Sequence, residues 1–170
     1  MWYIAQVRSG SEEQVRNKCI RAADKSVLEQ CFIPRYKEMK KYQGVWHTQE
    51  KLLFPGYVFM ISSHAEELNK SICNVIKPGT VKMLGTGDEI VPLKESEAEL
   101  LEHMGVRENA LDISKGVIKD GVTKVTEGPL TGLESYIRKI DRHKRKAWLE
   151  FDLSGRMVRM EAGLEITEKS

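Results

Sequence analysis

The first part of the chain alternates between a strand-like and a helix-like hydrophobic period. Residues Trp2 to Val7 are rich in β-forming side chains and predict a strand. Ser11 and Gln14 have the spacing of a capping box, which predicts that a helix begins there. The buried face of this helix is predicted from small and apolar residues at helical spacing, namely Val15, Cys19, Ala22 and Ala23.

The next stretch has the composition of strands and a hairpin. A strand is predicted from Cys31 to Tyr36, and Tyr42 to Trp46 is typical of a hairpin connection. The run from Phe54 to Ile61 is the apolar centre of this half of the chain. Because proline has no backbone N–H to donate, Pro55 inside this run predicts an edge strand or a bulge.

Two further helices complete the N-terminal pattern. One is predicted from Ala65 to Val75, and short strands are predicted at 81–84 and 90–91. The other runs from about Glu95 to Met104 and ends at Gly105, a suitable C-cap. The order β-α-β-β-α-β-α predicts an α+β domain over residues 1–105, with an antiparallel sheet and flanking helices.

Residues 106–117 are polar without a clear period, which predicts a linker. Residues 118–170 have the pattern of short strands separated by turns, and Gly128-Pro129 and Gly132 are turn signals. They predict a small five-stranded β-barrel. Its strands are expected at Val122–Val125, Tyr136–Ile140, Ala147–Leu153, Met157–Met160 and Leu164–Ile166.

Composition narrows the class of protein only modestly. The chain has 170 residues, is 41% hydrophobic and 31% charged, and carries a net charge of only +2, so contact with nucleic acid would depend on local clusters of charge. Three separated cysteines predict buried apolar side chains rather than a zinc or redox site. No run approaches the roughly 20 apolar residues of a membrane span, which favours a cytoplasmic protein.

No motif predicts catalysis. The four histidines, His47, His64, His103 and His143, are scattered and have no metal-binding spacing. The glycine pairs lack the lysine and hydroxyl residue of a phosphate-binding loop, and no nucleophile motif occurs. We therefore expect a protein that is not an enzyme and has no metal or cofactor.

Two clusters of cationic side chains are candidates for anion binding. Arg142 to Lys146 is a dense cationic run between two predicted strands, where it could form a phosphate-binding turn or simply a solvated one. The other cluster is interleaved with an aromatic residue and could touch nucleic acid or form a solvated hairpin arm. Its cations are Arg35, Lys37, Lys40 and Lys41.

Two motifs resemble one family. Val125-x-x-Gly128-Pro129-x-x-Gly132, followed by Tyr136-Ile137 and Ile140-Asp141, resembles the KOW motif of the NusG family of transcription elongation factors and of some ribosomal proteins. Trp2-Tyr3 and the later Phe54-Pro-Gly-Tyr-Val-Phe59 resemble the NusG N-terminal (NGN) domain. The family usually has glycine where Ser135 stands, which leaves the backbone bend there open. The resemblance implies an NGN domain over 1–105 and a KOW domain over 118–170.

The resemblance also implies partners. Proteins of this kind bind the clamp helices of RNA polymerase through the NGN domain, and Phe54, Tyr57 and Phe59 would form that patch. The periodicity alone leaves a second interpretation, in which all three aromatic residues belong to the core. Non-template DNA is a further candidate partner, and the protein is expected to be a monomer in the bacterial cytoplasm.

The C-terminal cations resemble those of LoaP, a specialised NusG paralogue associated with processive antitermination and recognition of an RNA hairpin. The resemblance lies in residues 136–145, Ser154-Gly155-Arg156 and Gly163 to Ile166. It implies that a nascent RNA hairpin is bound by Arg138, Lys139, Arg142, His143, Lys144, Arg145, Lys146 and Arg156. Two alternatives remain: a housekeeping factor whose KOW domain binds the termination factor Rho or a ribosomal protein, and a ribosome-associated KOW protein that does not contact polymerase.

Overall fold

A computed structural model describes residues 1–73, 81–83 and 92–170. The chain divides into two compact units. The first unit comprises Met1–Ile33, Pro55–Glu99 and Asp152–Arg156. The second unit comprises Pro34–Phe54, Leu100–Phe151 and Met157–Ser170. The boundaries predicted from the sequence, at residues 105 and 118, stay a prediction.

The first unit contains a four-stranded sheet. Its strands are β1 (Trp2–Val7), β2 (Gln30–Phe32), β5 (Tyr57–Ile61) and β6 (Val81–Met83), in the order β2-β5-β1-β6. The pairs in this sheet are antiparallel, as the sequence predicted. The core includes Trp2, Phe32 and Phe59, whose ring centroids lie 5.5 to 6.3 Å apart.

Three helices occur between or after these strands along the chain: α1 (Glu12–Ala22), α2 (Ala65–Cys73) and α3 (Glu95–Met104). Helix α1 begins after Ser11, as predicted, but the Ser11 side chain does not cap the helix and donates instead to the carbonyl of Arg8. Val15 and Cys19 are buried on one face of α1, and Cys31 is also buried. The predicted end of α2 and the predicted strands at 84 and at 90–91 lie outside the described residues.

The second unit contains a hairpin of β3 (Arg35–Tyr42) and β4 (Val45–Leu52). Its two-residue turn at Gln43-Gly44 has positive φ at both positions, which suits the right-handed twist of the strands. The predicted hairpin connection is therefore confirmed. The hairpin also meets the following chain, because Tyr36 forms an isolated parallel bridge with Leu111.

The C-terminal part forms a five-stranded sheet in the order β8-β7-β11-β10-β9. Its strands are β7 (Ser114–Lys119), β8 (Val122–Glu127), β9 (Ile137–Asp141), β10 (Lys146–Leu153) and β11 (Arg156–Lys169). The fold is thus α+β, as predicted, and five C-terminal strands are consistent with a KOW-like domain. The pairing of β7 with β11 is parallel, whereas β9 with β10 and β7 with β8 are antiparallel.

Two positions of the motif that resembles KOW, Gly128 and Ser135, lie between β8 and β9. Gly128 has φ +101°, and a Cβ there would lie 2.6 Å from the Cα of Ser114, so only glycine fits. Ser135 lies in a short 3₁₀ helix, Glu134–Tyr136, and is not among the residues with positive φ. A glycine is therefore not required at position 135.

Several predicted elements differ in detail. The strand predicted from Cys31 to Tyr36 is divided between β2 and β3 at Pro34, which has no N–H for a ladder. The edge position or bulge predicted at Pro55 is wrong, because Pro55 precedes β5 and β5 lies between β2 and β1. The last two predicted strands are one strand, β11, and β7 begins inside the predicted linker.

Candidate nucleic-acid interface

The β9–β10 turn places the predicted cationic run at the end of a ladder. Asp141 pairs with Lys146, and the four residues between them form the turn. The Asp141 carboxylate accepts a hydrogen bond of 2.9 Å from the backbone N–H of Lys144. This bond lowers the pKa of Asp141 and holds the turn closed. Arg142, His143 and Lys144 are exposed at its tip.

The last two cations of the run are engaged by other parts of the second unit. The Arg145 guanidinium stacks 4.1 Å from the ring centroid of Trp46 and lies 3.8 Å from a Glu165 oxygen. Lys146 is buried, and its ammonium lies 2.9 Å from Glu38 and 3.3 Å from Glu161. The run therefore separates into three exposed side chains and two that pack against neighbours.

The hairpin and the turn together line a groove of about 350 Å³ in the second unit. The β3–β4 hairpin contributes Lys40, Lys41, Trp46 and Lys51, together with Glu38, Met39 and Gln49. The turn contributes His143 and Lys144, and the start of β10 contributes Lys146. Five lysines and one carboxylate give this groove an excess of positive charge. Two cationic clusters that are about a hundred residues apart in sequence thus meet at one surface. A cationic groove with an aromatic wall can attract phosphate and stack a base.

A charge network lies at the base of this groove. Burial would raise the pKa of Glu38, but hydrogen bonds from Lys146 and Gln49 outweigh burial and lower it to about 2. Burial would lower the pKa of Lys146, but its hydrogen bonds with Glu38 and Tyr36 outweigh burial and raise it. Burial raises the pKa of Tyr36 to about 12. Lys146 and Glu38 therefore remain ionised as a buried pair across the neutral pH range.

The other candidate side chains lie in varied environments. Exposed Arg138 donates to the carbonyl of Ser135 at 2.8 Å, and the ammonium of exposed Lys139 lies 5.0 Å from the ring centroid of Trp148. Arg156 is half-buried and donates to the side chain of Gln6. On the hairpin, Lys37 pairs with Asp112 at 2.8 Å, and Arg35 is half-buried; neither lines the groove.

The three aromatic residues predicted to contact polymerase differ in exposure. Phe54 and Phe59 have 0% exposure, and Phe59 packs against Trp2 and Phe32. Tyr57 is half-buried at the start of β5. Just before it, Gly56 donates its N–H to the buried Glu12 carboxylate at 2.8 Å. Any contact of these aromatic side chains with a partner would therefore fall to Tyr57.

Sequence reasoning did not identify Trp46, Glu38, Lys51 or Glu161. Trp46 had a usable signal, since a two-residue turn at Gln43-Gly44 dictates that it pairs with Lys41. Glu161 had no such signal, because its partners are distant in sequence.

Among the described residues, no group of three His, Cys, Asp or Glu side chains could hold a metal ion. No helix in the described ranges is long and apolar enough to cross a membrane.

The antiparallel sheet with its helices, the five-stranded C-terminal sheet and the basic groove define an α+β protein with a candidate nucleic-acid interface. The chain belongs to the NusG family: the family model described as Transcription termination factor nusG matches residues 1–102. The chain is similar to the transcription termination/antitermination protein NusG of Halalkalibacterium halodurans, with 27% identity over 98% of this chain and 96% of the relative. It is also similar to the NusG proteins of Rickettsia prowazekii and Rickettsia typhi, each with 22% identity over 99% of this chain and 90% of the relative.

Proposed function

We propose that this chain is a transcription elongation factor that promotes processive antitermination, in the manner of the LoaP paralogues that its C-terminal cations resemble. Its NGN domain binds the clamp helices of RNA polymerase, and its KOW domain, together with the β3–β4 hairpin, binds a stem-loop in the nascent RNA. The observation that supports RNA binding most is the groove of the protein, in which Lys40 and Lys41 of the β3–β4 hairpin face His143 and Lys144 of the β9–β10 turn.

Charge and shape favour RNA as the ligand of this groove. Lysines that neutralise phosphates release counterions, so a local excess of positive charge can supply affinity even though the chain's net charge is only +2. A-form RNA is recognised mainly through its backbone and shape, which a compact groove can follow. Trp46 and His143 add rings that can stack on an unpaired base, so they supply contacts beyond the phosphates.

The rigidity of the turn supports the same proposal. The Asp141 carboxylate fixes the backbone of Lys144, and the carbonyl of Arg145 accepts a 2.9 Å hydrogen bond from the N–H of Leu164. The backbone of the turn is thus held at both ends. Exposed cations on a fixed backbone lose less conformational entropy on binding than cations on a mobile loop.

Contact with polymerase rests on a separate residue. Tyr57 is half-buried, whereas Phe54 and Phe59 are fully buried, so we assign the contact to Tyr57 and a supporting role in the core to the other two. A tyrosine combines apolar area with a polar tip and is a common hot spot at protein interfaces. Non-template DNA remains a candidate ligand of the exposed hairpin lysines.

RNA binding can be tested by fluorescence anisotropy on a labelled RNA hairpin across a salt series, with a single-stranded RNA of the same composition for comparison. The variant Lys40→Ala/Lys144→Ala removes one cation from each wall of the groove. We expect the slope of log affinity against log salt to fall by about 1.4–1.8, somewhat under one unit for each lost phosphate contact. Lys18→Ala removes an exposed lysine from α1, outside the groove, and should leave the slope unchanged.

The alternative is a housekeeping factor whose KOW domain binds Rho or a ribosomal protein. It is favoured by the names of the relatives, which cover termination as well as antitermination. If the wild-type protein binds polymerase but no hairpin RNA, or if the double variant binds RNA as well as wild type does, the alternative replaces our proposal.

A further inference from the structure

Lys146 differs from the other cations of the turn because it is enclosed by protein. Its side chain is only 10% exposed, and its ammonium lies between two carboxylates, 2.9 Å from Glu38 of β3 and 3.3 Å from Glu161 of β11. Lys146 itself is the first residue of β10, directly after the turn. An ammonium already paired with two carboxylates has little capacity left to contact a phosphate.

Each carboxylate is held in turn by other side chains of the second unit. Glu161 accepts hydrogen bonds from the Tyr36 hydroxyl at 3.2 Å and from the Trp148 indole N–H at 3.3 Å. Glu38 accepts a hydrogen bond of 2.7 Å from Gln49 and lies 3.2 Å from the ammonium of Lys51. The network therefore joins both strands of the hairpin to β10 and β11.

The backbone around this network is closely packed. A Cβ built on Gly163 of β11 would lie 2.9 Å from the Lys37 carbonyl, so the two backbones approach as near as a glycine allows. The N–H of Lys37 donates to the carbonyl of Leu111, and the N–H of Glu161 donates to the carbonyl of Leu53. The side-chain network thus lies beside a direct attachment of the hairpin to the C-terminal part of the second unit.

We propose that Lys146 is a positioning residue, which holds the hairpin cations opposite the turn cations and does not itself contact RNA. The inference rests on the proposed function, since it concerns how the same groove is assembled. Lys146 ties the wall that carries Lys40, Lys41 and Trp46 to the wall that carries His143 and Lys144. Loss of this tie would loosen the β3–β4 wall and so weaken the presentation of both sets of charges to one RNA segment.

A substitution of Glu161 distinguishes the positioning role of Lys146 from a role in which Lys146 attracts RNA only by its charge. Glu161→Gln removes a negative charge beside a cationic groove, so long-range electrostatics alone would make RNA bind more tightly. If Glu161 instead helps to hold Lys146 in place, the same substitution weakens RNA binding. The positioning role and direct phosphate contact by Lys146 therefore predict opposite signs for one substitution.

The experiment measures two quantities in the full chain: affinity for an RNA hairpin, and hydrogen exchange at the backbone amides of Lys37 and Leu111. These amides report attachment of the hairpin, because they bond to the carbonyls of Leu111 and Arg35. Lys146→Met and the milder Glu161→Gln should each weaken RNA binding, with a loss of roughly tenfold or more for Lys146→Met. Both should speed exchange at these amides.

Lys144→Ala is the matched control, since it removes a neighbouring exposed lysine. It should weaken RNA binding but leave exchange at Lys37 and Leu111 as in wild type. Tighter RNA binding by Glu161→Gln, or unchanged exchange in Lys146→Met, would overturn the positioning role. If the wild-type protein binds no RNA stem-loop, the proposed function fails. The exchange data alone then decide whether Lys146 holds the β3–β4 hairpin in place.

Discussion

Glu38 should make the second unit sensitive to acid. Its pKa is lowered from 4.5 to about 2, because its hydrogen bonds with Lys146 and Gln49 outweigh burial. A shift of about 2.5 units, at about 1.4 kcal/mol per unit, corresponds to about 3 kcal/mol of unfolding free energy. The raised pKa of Lys146 describes the same ion pair, so the two shifts are not added.

The sign follows from the lowered pKa. The stabilisation is complete above the unfolded-state pKa near 4.5 and is lost as the pH falls towards about 2, where Glu38 becomes protonated in the folded protein. Glu38→Gln removes this ionisation. The variant should be less stable than wild type at pH 7, because it leaves Lys146 with one carboxylate fewer.

The assay is urea unfolding at pH 7, 4, 3 and 2, followed by the fluorescence of the tryptophans; Trp46 and Trp148 report the second unit. Between pH 5 and 2, wild type should lose about 3 kcal/mol more unfolding free energy than Glu38→Gln. Other carboxylates, such as Asp141, are present in both proteins and cancel in the comparison. Equal losses in the two proteins would show that Glu38 does not hold its low pKa in solution.

Four further substitutions test the packing and the polymerase contact. Tyr57→Ala should weaken binding to RNA polymerase in a pull-down with little change in thermal stability. The matched Phe59→Ala should cost about 3–5 kcal/mol of stability, because Phe59 is fully buried. If Tyr57→Ala unfolds, Tyr57 is a core residue and not a contact residue. Gly163→Ala should cost about 1–3 kcal/mol in urea unfolding, since its Cβ would meet the Lys37 carbonyl at 2.9 Å; wild-type stability would contradict the close approach. Glu12→Ala should cost about 1–3 kcal/mol, because it leaves the buried N–H of Gly56 without its acceptor, whereas the N–H of exposed Gly10 can bond to water; a thermal melt equal to wild type would refute this.

The sequence alone was sufficient for features that depend on neighbouring residues. The hairpin turn at Gln43-Gly44 is encoded by Gly44, which adopts positive φ without strain. The buried face of α1, with Val15 and Cys19, and the alternation in β10 follow from periods that a short window of sequence contains. The same local patterns predicted the α+β class and the position of the cationic turn between two strands. The sequence motifs indicated the NusG family, to which the chain belongs.

Only the tertiary structure decided which charges are available for a ligand. Within one run of cations, Lys144 is exposed and Lys146 is buried, and no local pattern distinguishes them. The difference arises from Glu38 and Glu161, which lie on other strands; the hydrogen bond from Tyr36 to Glu161 spans 125 residues of sequence. The meeting of the hairpin lysines with the turn is likewise a product of long-range packing. Local sequence determines backbone conformation through short-range sterics and hydrogen bonds, whereas the burial and pairing of a charge depend on whichever distant groups the fold brings beside it.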